Sequence, residues 1–180
     1  MPSPREDLDR ILTSPYLDGI DTRSLDEIRA MRTECQQAEV ALSYLRRLIQ
    51  GRLDIVHTYL EHEGSGTPPD LATLVEDLPG ILSAGPGRPP GPEHLPMLLA
   101  PDTEGSDLTA ELDAVLGADE IADLGEMSPD RLRELAGRLE SLENRVSLDR
   151  RALHVRIDTL QAELVARHKS GRASVDGLLS

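Results

Sequence analysis

The sequence predicts an all-α protein: a long antiparallel two-helix coiled coil with a short-helix and irregular acidic middle segment. Three observations carry that prediction. The chain of 180 residues holds 30 Leu and 3 Tyr but no Phe or Trp, too few aromatics to fill a β-sandwich or a large α/β core. Two stretches of about 40 residues repeat apolar positions at helical spacing between recognisable start and stop signals. The acidic charge lies between those stretches: residues 61–126 contain 15 Asp and Glu against one basic residue, Arg88, so that segment alone carries the formal net charge of −14.

The elements follow in order. Residues 1–23 read as an N-terminal arm in which Leu12, Tyr16 and Leu17 are able to dock. The first long helix is predicted over 24–63. Ser24 followed by Glu27 is a capping-box signature, and the run Gly64-Ser-Gly-Thr-Pro-Pro69 stops the helix. Residues 64–127 form an acidic, Pro/Gly-rich connector. Within it Asp70 to Leu78 has room for two helical turns. Gly85 to Pro92 is too rich in Pro and Gly for regular structure, and Asp107 to Leu116 repeats Leu108, Leu112, Val115 and Leu116 at helical spacing. The second long helix is predicted over 128–170, with Ser128 before Pro129 in the favoured first turn, and residues 171–180 are a tail. At about 1.5 Å per residue each long helix measures about 60 Å. Helices of that length pair with a partner helix rather than stand alone.

The long helices share a motif. Glu39, Ser43, Arg46, Gln50 and Asp54 recur as Glu143, Ser147, Arg150, His154 and Asp158, with steps of four, three, four and four residues and four of five residue types retained. At ordinary residue usage such agreement arises about once in 10⁴ registers, and a few hundred registers with helical bias bring chance agreement to about a few per cent. At 100° per residue each set falls within an arc of about 80°, a straight polar stripe. Beside it runs an apolar stripe, Ala38, Leu42, Leu45, Ile49, Leu53, Val56 and Leu60 on the first helix and Leu142, Val146, Leu153, Ile157, Leu160 and Leu164 on the second. The apolar stripes are suited to zip the helices together, which leaves the polar stripes as either a ligand surface or solvated flanks. Arg47, Arg52, Arg151 and Arg156 also match in this alignment, and either turn toward the stripe or stay exposed to solvent, where ion pairs on helix surfaces are common.

Other chemistry is sparse. Cys35 has no cysteine partner and sits near the apolar stripe, where it reads as a small hydrophobe. His57, His62, His94 and His168 make no metal-ligand spacing. Tyr44 and Tyr59 read as packing residues. The prolines of the Gly85–Pro92 run remove the backbone donors that a phosphate-cradling loop needs. No enzyme is predicted. The negative charge disfavours direct DNA binding. With neither a secretory signal nor a membrane-length apolar run, the expectation is a cytoplasmic protein.

The pattern Glu-x3-Ser-x2-Arg-x3-Gln-x3-Asp, present twice on paired helices, resembles the cyclic-di-GMP signature of the RsiG anti-sigma factor family of sporulating actinobacteria. The first copy matches all five positions, and the second departs at His154, where the family has Gln. The resemblance implies an all-helical protein that binds cyclic-di-GMP, two molecules per chain, and sequesters a WhiG-like sporulation sigma factor when ligand is bound. Because one chain already supplies both stripes, the expectation is a monomer in a heterodimer with the sigma factor rather than a homodimeric four-helix bundle. The implied ligand residues are Glu39, Ser43, Arg46, Gln50, Asp54, Glu143, Ser147, Arg150, His154 and Asp158. The chemistry is compatible: guanine offers N7 and O6 acceptors to an arginine fork and N1–H and N2–H donors to a carboxylate. Acidic residues of the middle segment would then complement basic sigma-factor surfaces, or serve as a solubilising loop. The alternative is a coiled-coil adaptor or scaffold without a small ligand, which accounts for the helices but not for the repeated motif.

Overall fold

The computed structural model describes residues 3–62 and 107–169. Among these residues every regular element is helical: α1 (Pro4–Leu12), α2 (Leu25–His62), α3 (Asp107–Val115), α4 (Ala118–Ala122) and α5 (Pro129–Lys169), with single 3-10 turns at Ser14–Leu17, Ile20–Thr22 and Leu124–Glu126. The predicted segments at Asp70–Leu78 and Gly85–Pro92, and the tail, lie outside the described residues. No helix of the described residues is long and apolar enough to cross a membrane.

Local chemistry sets the helix starts. Ser24 caps α2 as predicted: its hydroxyl accepts from the Glu27 N–H at 3.2 Å while its own N–H donates to Glu27 Oε2 at 2.7 Å, so two of the orphan donors of a helix start are satisfied reciprocally. The Ser24 hydroxyl also donates to Glu27 Oε2 at 2.7 Å, and this bond first, then the one from the Ser24 N–H, holds the Glu27 carboxyl below the usual carboxylate range. Ser128 accepts from the Arg131 N–H at 3.4 Å ahead of α5. Within the N-terminal arm, residues 1–23, the structure adds a helix that was not predicted. Ser3 and Glu6 form another capping box, with bonds of 3.2 and 2.9 Å, and start α1 at Pro4. Gly19, at φ 69°, turns the chain onward in the left-handed region that glycine enters without a Cβ clash.

The described residues form two compact units, one drawn from residues 3–42 and 148–169, the other from 43–62 and 107–147. In the first, α1 buries Leu8 and Ile11, and the N-terminal half of α2 buries Ile28, Met31, Cys35 and Leu42. The C-terminal half of α5 contributes buried Leu153, Leu160 and Leu164. Tyr16 docks as the arm reading expected: it is buried, its hydroxyl donates to Glu34 Oε2 at 2.6 Å, and the Met31 carbonyl oxygen lies 3.2 Å away. Arg10 pairs with Glu34 and lies 5.7 Å from the centre of the Tyr16 ring. Arg32 bonds to Gln161 and Glu39 to Arg150. A later residue of α2 thus meets an earlier residue of α5, so the two segments run in opposite directions in this unit.

In the second unit α3 buries Leu108, Leu112 and Val115, with Leu116 just beyond its end. The C-terminal half of α2 buries Leu45, Ile49, Val56 and Tyr59, and the N-terminal half of α5 buries Leu132, Leu135, Leu139, Leu142 and Val146. Arg145 of α5 pairs with Glu111 of α3. Of the expected apolar stripes, Ala38, Leu53, Leu60 and Ile157 are half-buried and the rest are buried.

The repeat is longer than the polar stripes. An offset of 104 residues relates Ser24 to Ser128 and Leu8, Ile11 and Leu12 to Leu112, Val115 and Leu116. It thereby superposes the apolar faces of two nine-residue helices, α1 and α3. The same offset relates Arg52 to Arg156. Arg156 donates to the Leu12 and Thr13 carbonyls at 2.6 and 3.2 Å. Arg52 donates to the Leu116 carbonyl and to Asp113 Oδ1, the latter at 2.7 Å. Each arginine thus satisfies orphan carbonyls at the end of a short helix, where a cation also complements the helix dipole.

Candidate ligand-binding site

Helical periodicity aligns each polar stripe, and its first three residues sit in a different environment from its last. Glu39, Ser43, Arg46 and Gln50 are half-buried on α2, as are Glu143, Ser147 and Arg150 on α5, while Asp54, His154 and Asp158 are exposed.

The half-buried groups are organised by ion pairs between the two copies. In the unit 43–147, Arg46 Nε donates to Glu143 Oε1 at 2.6 Å, and the same oxygen accepts from the Ser147 hydroxyl at 3.0 Å. In the other unit, Arg150 Nε and Nη2 donate to Glu39 Oε1 at 3.2 and 2.7 Å. His154 Nε2 stands 3.6 Å from that Glu39 oxygen. The arginine of each copy is therefore bound to the glutamate of the other. The glutamate side chains are 18% and 19% exposed, shielded enough for the pairing to matter more than a free surface contact does.

His154, the departure from the five-residue pattern, reaches the same carboxylate as Arg150. Gln50, its counterpart, has no such contact: among the described residues no side-chain partner meets Gln50, Asp54 or Asp158. These three keep their hydrogen-bonding groups available to a ligand or to solvent.

The flanking arginines divide. Arg52 and Arg156 bind the short-helix ends and are not available to the stripes, whereas Arg47 and Arg151 are exposed. Stripe spacing alone missed this division, though the offset that aligns the motifs also aligns both arginine pairs. Cys35 is fully buried beside Tyr16, with its Sγ 3.8 Å from the phenol oxygen. Burial pushes the Cys35 thiol up and also raises the Tyr16 hydroxyl, which the bond to Glu34 raises further.

Fold and stripes together define a class: helical proteins in which a duplicated polar motif is carried on two long helices. The RsiG-like family model matches residues 14–82 and 118–180, both motif copies included. The chain belongs to the RsiG-like family, and that membership suggests an anti-sigma factor role. No curated protein matches the sequence.

Proposed function

We propose that the protein is a cyclic-di-GMP-responsive anti-sigma factor: its motif stripes bind two molecules of the nucleotide, and the liganded form sequesters a WhiG-like sporulation sigma factor and represses transcription. The opposed α2 and α5 segments of each unit belong to an antiparallel coiled coil in this reading. One observation carries it. The two motif copies place their Glu and Arg in reciprocal, half-buried pairs, Arg46 with Glu143 and Arg150 with Glu39. Such a pair holds a donor fork and an acceptor side by side. That is the complement of a guanine edge, where O6 accepts and N1–H and N2–H donate. Arg46 and Arg150 meet the acceptors. Glu39, Glu143, Asp54 and Asp158 meet the donors, while Ser43, Ser147, Gln50 and His154 bond ribose or phosphate oxygens.

Family membership supports a sigma factor as the partner in general; the WhiG type comes from the motif resemblance, and the one-to-one stoichiometry from the presence of both stripes on one chain. The chain works in the cytoplasm, without touching DNA itself. If the nucleotide binds the complex better than the free protein, it strengthens sigma capture by the same factor. Thermal melting tests the reading against a ligand-free adaptor. Cyclic-di-GMP raises Tm, since a ligand bound only by the folded state stabilises it by mass action, while cyclic-di-AMP and GTP leave it unchanged. Equal shifts with all three nucleotides, or none, favour the adaptor.

A further inference from the structure

We infer that Arg47 and Arg151 are the phosphate-holding residues of the nucleotide site; this rests on the cyclic-di-GMP reading and adds a division of labour among its arginines. Each motif copy brings three arginines to its helix: Arg46, Arg47 and Arg52 on α2, and Arg150, Arg151 and Arg156 on α5. Two of each three are committed. Arg46 and Arg150 hold Glu143 and Glu39, and Arg52 and Arg156 hold the Leu116 and Leu12 carbonyls. One of each three is left over. Among the described residues no hydrogen bond or ion pair reaches the side chain of Arg47 or Arg151, and both are exposed. The same position is spare in both copies.

Position favours the assignment. At 100° per residue Arg47 falls about 40° from Ser43 and about 20° from Asp54 around the α2 axis, and Arg151 stands in the same relation to Ser147 and Asp158. Each spare arginine thus borders the polar stripe on the side of its exposed aspartate. A cyclic dinucleotide carries two phosphodiester charges. An arginine already held by a carboxylate has part of its charge offset and part of its fork occupied. A spare arginine brings a full charge and five free donors to the phosphate oxygens. The Glu–Arg pairs then face the guanine edges, and Arg47 and Arg151 fix the phosphates beside them.

The test is calorimetric titration of the full chain with cyclic-di-GMP at low and high salt. It compares the wild type with the R47Q/R151Q and R52Q/R156Q double variants, with thermal melts alongside. R47Q/R151Q keeps the wild-type Tm, because neither side chain holds the fold. It loses about tenfold in affinity per arginine, and its residual binding is less sensitive to salt than that of the wild type. R52Q/R156Q does the reverse, with a lowered Tm and unchanged salt sensitivity. Wild-type affinity and salt sensitivity in R47Q/R151Q overturn the assignment while leaving the cyclic-di-GMP reading in place. No binding by the wild type overturns both.

Discussion

Arg46 Nε lies 2.6 Å from Glu143 Oε1, which joins the arginine of the first motif copy to the glutamate of the second. Glu39 and Arg150 repeat the relation with the copies exchanged, at 2.7 Å. Each of these arginines therefore takes its counter-charge from the other motif copy.

Substitution of either arginine is expected to have two separable effects. Arg150→Ala leaves Glu39, 18% exposed, without its principal counter-charge. A stability loss of about 1–3 kcal/mol follows, read as a lower urea midpoint. Arg46→Ala, whose arginine is 36% exposed, loses less. Both variants lose cyclic-di-GMP binding and nucleotide-dependent sigma capture. Normal affinity in both refutes the assignment of these arginines to the site.

Arg52 and Arg156 are expected to matter to the fold alone. Arg52→Ala removes the donor to the Leu116 carbonyl and to Asp113, and Arg156→Ala removes the donor to the Leu12 and Thr13 carbonyls. Each should cost about 1–3 kcal/mol in urea unfolding and accelerate amide exchange in α3 or α1 respectively. Unchanged exchange in the short helix would contradict the role.

Burial of Cys35 and Tyr16 predicts alkaline lability. An unfolded thiol loses its proton near pH 8.5 and an unfolded phenol near about pH 10. Both groups are pushed up in the folded protein, chiefly by burial. Above those unfolded values the folded state holds protons that the unfolded state has released, so stability falls as pH rises. The contribution is complete below about pH 8.5 and declines above it by at most about 1.4 kcal/mol per pH unit for each group. Urea unfolding of the wild type between pH 7 and 10 should show the decline. Cys35→Ala should be flatter from about pH 8.5 to 10, and equal slopes would refute the claim.

The capping box of α2 works at the acid end. The Glu27 carboxyl is held low by the Ser24 hydroxyl and N–H. Its contribution is present above the unfolded carboxylate value, about 4.3, and is lost as pH falls through the lower folded value. Ser24→Ala should return the Glu27 carboxyl toward its ordinary value, measured by side-chain carbon NMR. A shift that persists in Ser24→Ala would mean that another group holds it.

What the sequence made legible was mostly local. Ser24 with Glu27, and Ser128 with Pro129, marked the starts of α2 and α5 because a helix start is satisfied by side chains within three residues. Leu42, Ile49, Leu153 and Leu160 were placed in the core by periodicity. The helix α1 was legible in principle, since Ser3 and Glu6 have the spacing of Ser24 and Glu27, but nine residues beside two prolines read as an arm. The fates of the arginines were not legible. Arg52 and Arg156 find their carbonyls 64 and 144 residues away, and no helical periodicity separates an arginine that caps a distant helix from one that faces a ligand. The reciprocal Glu–Arg pairs needed the same long-range information, although the repeat had named all four residues.

The most direct test of the central claim is calorimetric titration of the full chain with cyclic-di-GMP, beside cyclic-di-AMP and GTP, with and without a WhiG-like sigma factor. The account predicts saturable binding of two cyclic-di-GMP molecules per chain, no binding of the other nucleotides, and tighter binding when the sigma factor is present. No cyclic-di-GMP binding under either condition, with the sigma factor captured equally well in its absence, would contradict it and leave a helical adaptor whose stripes serve only to pair its own helices.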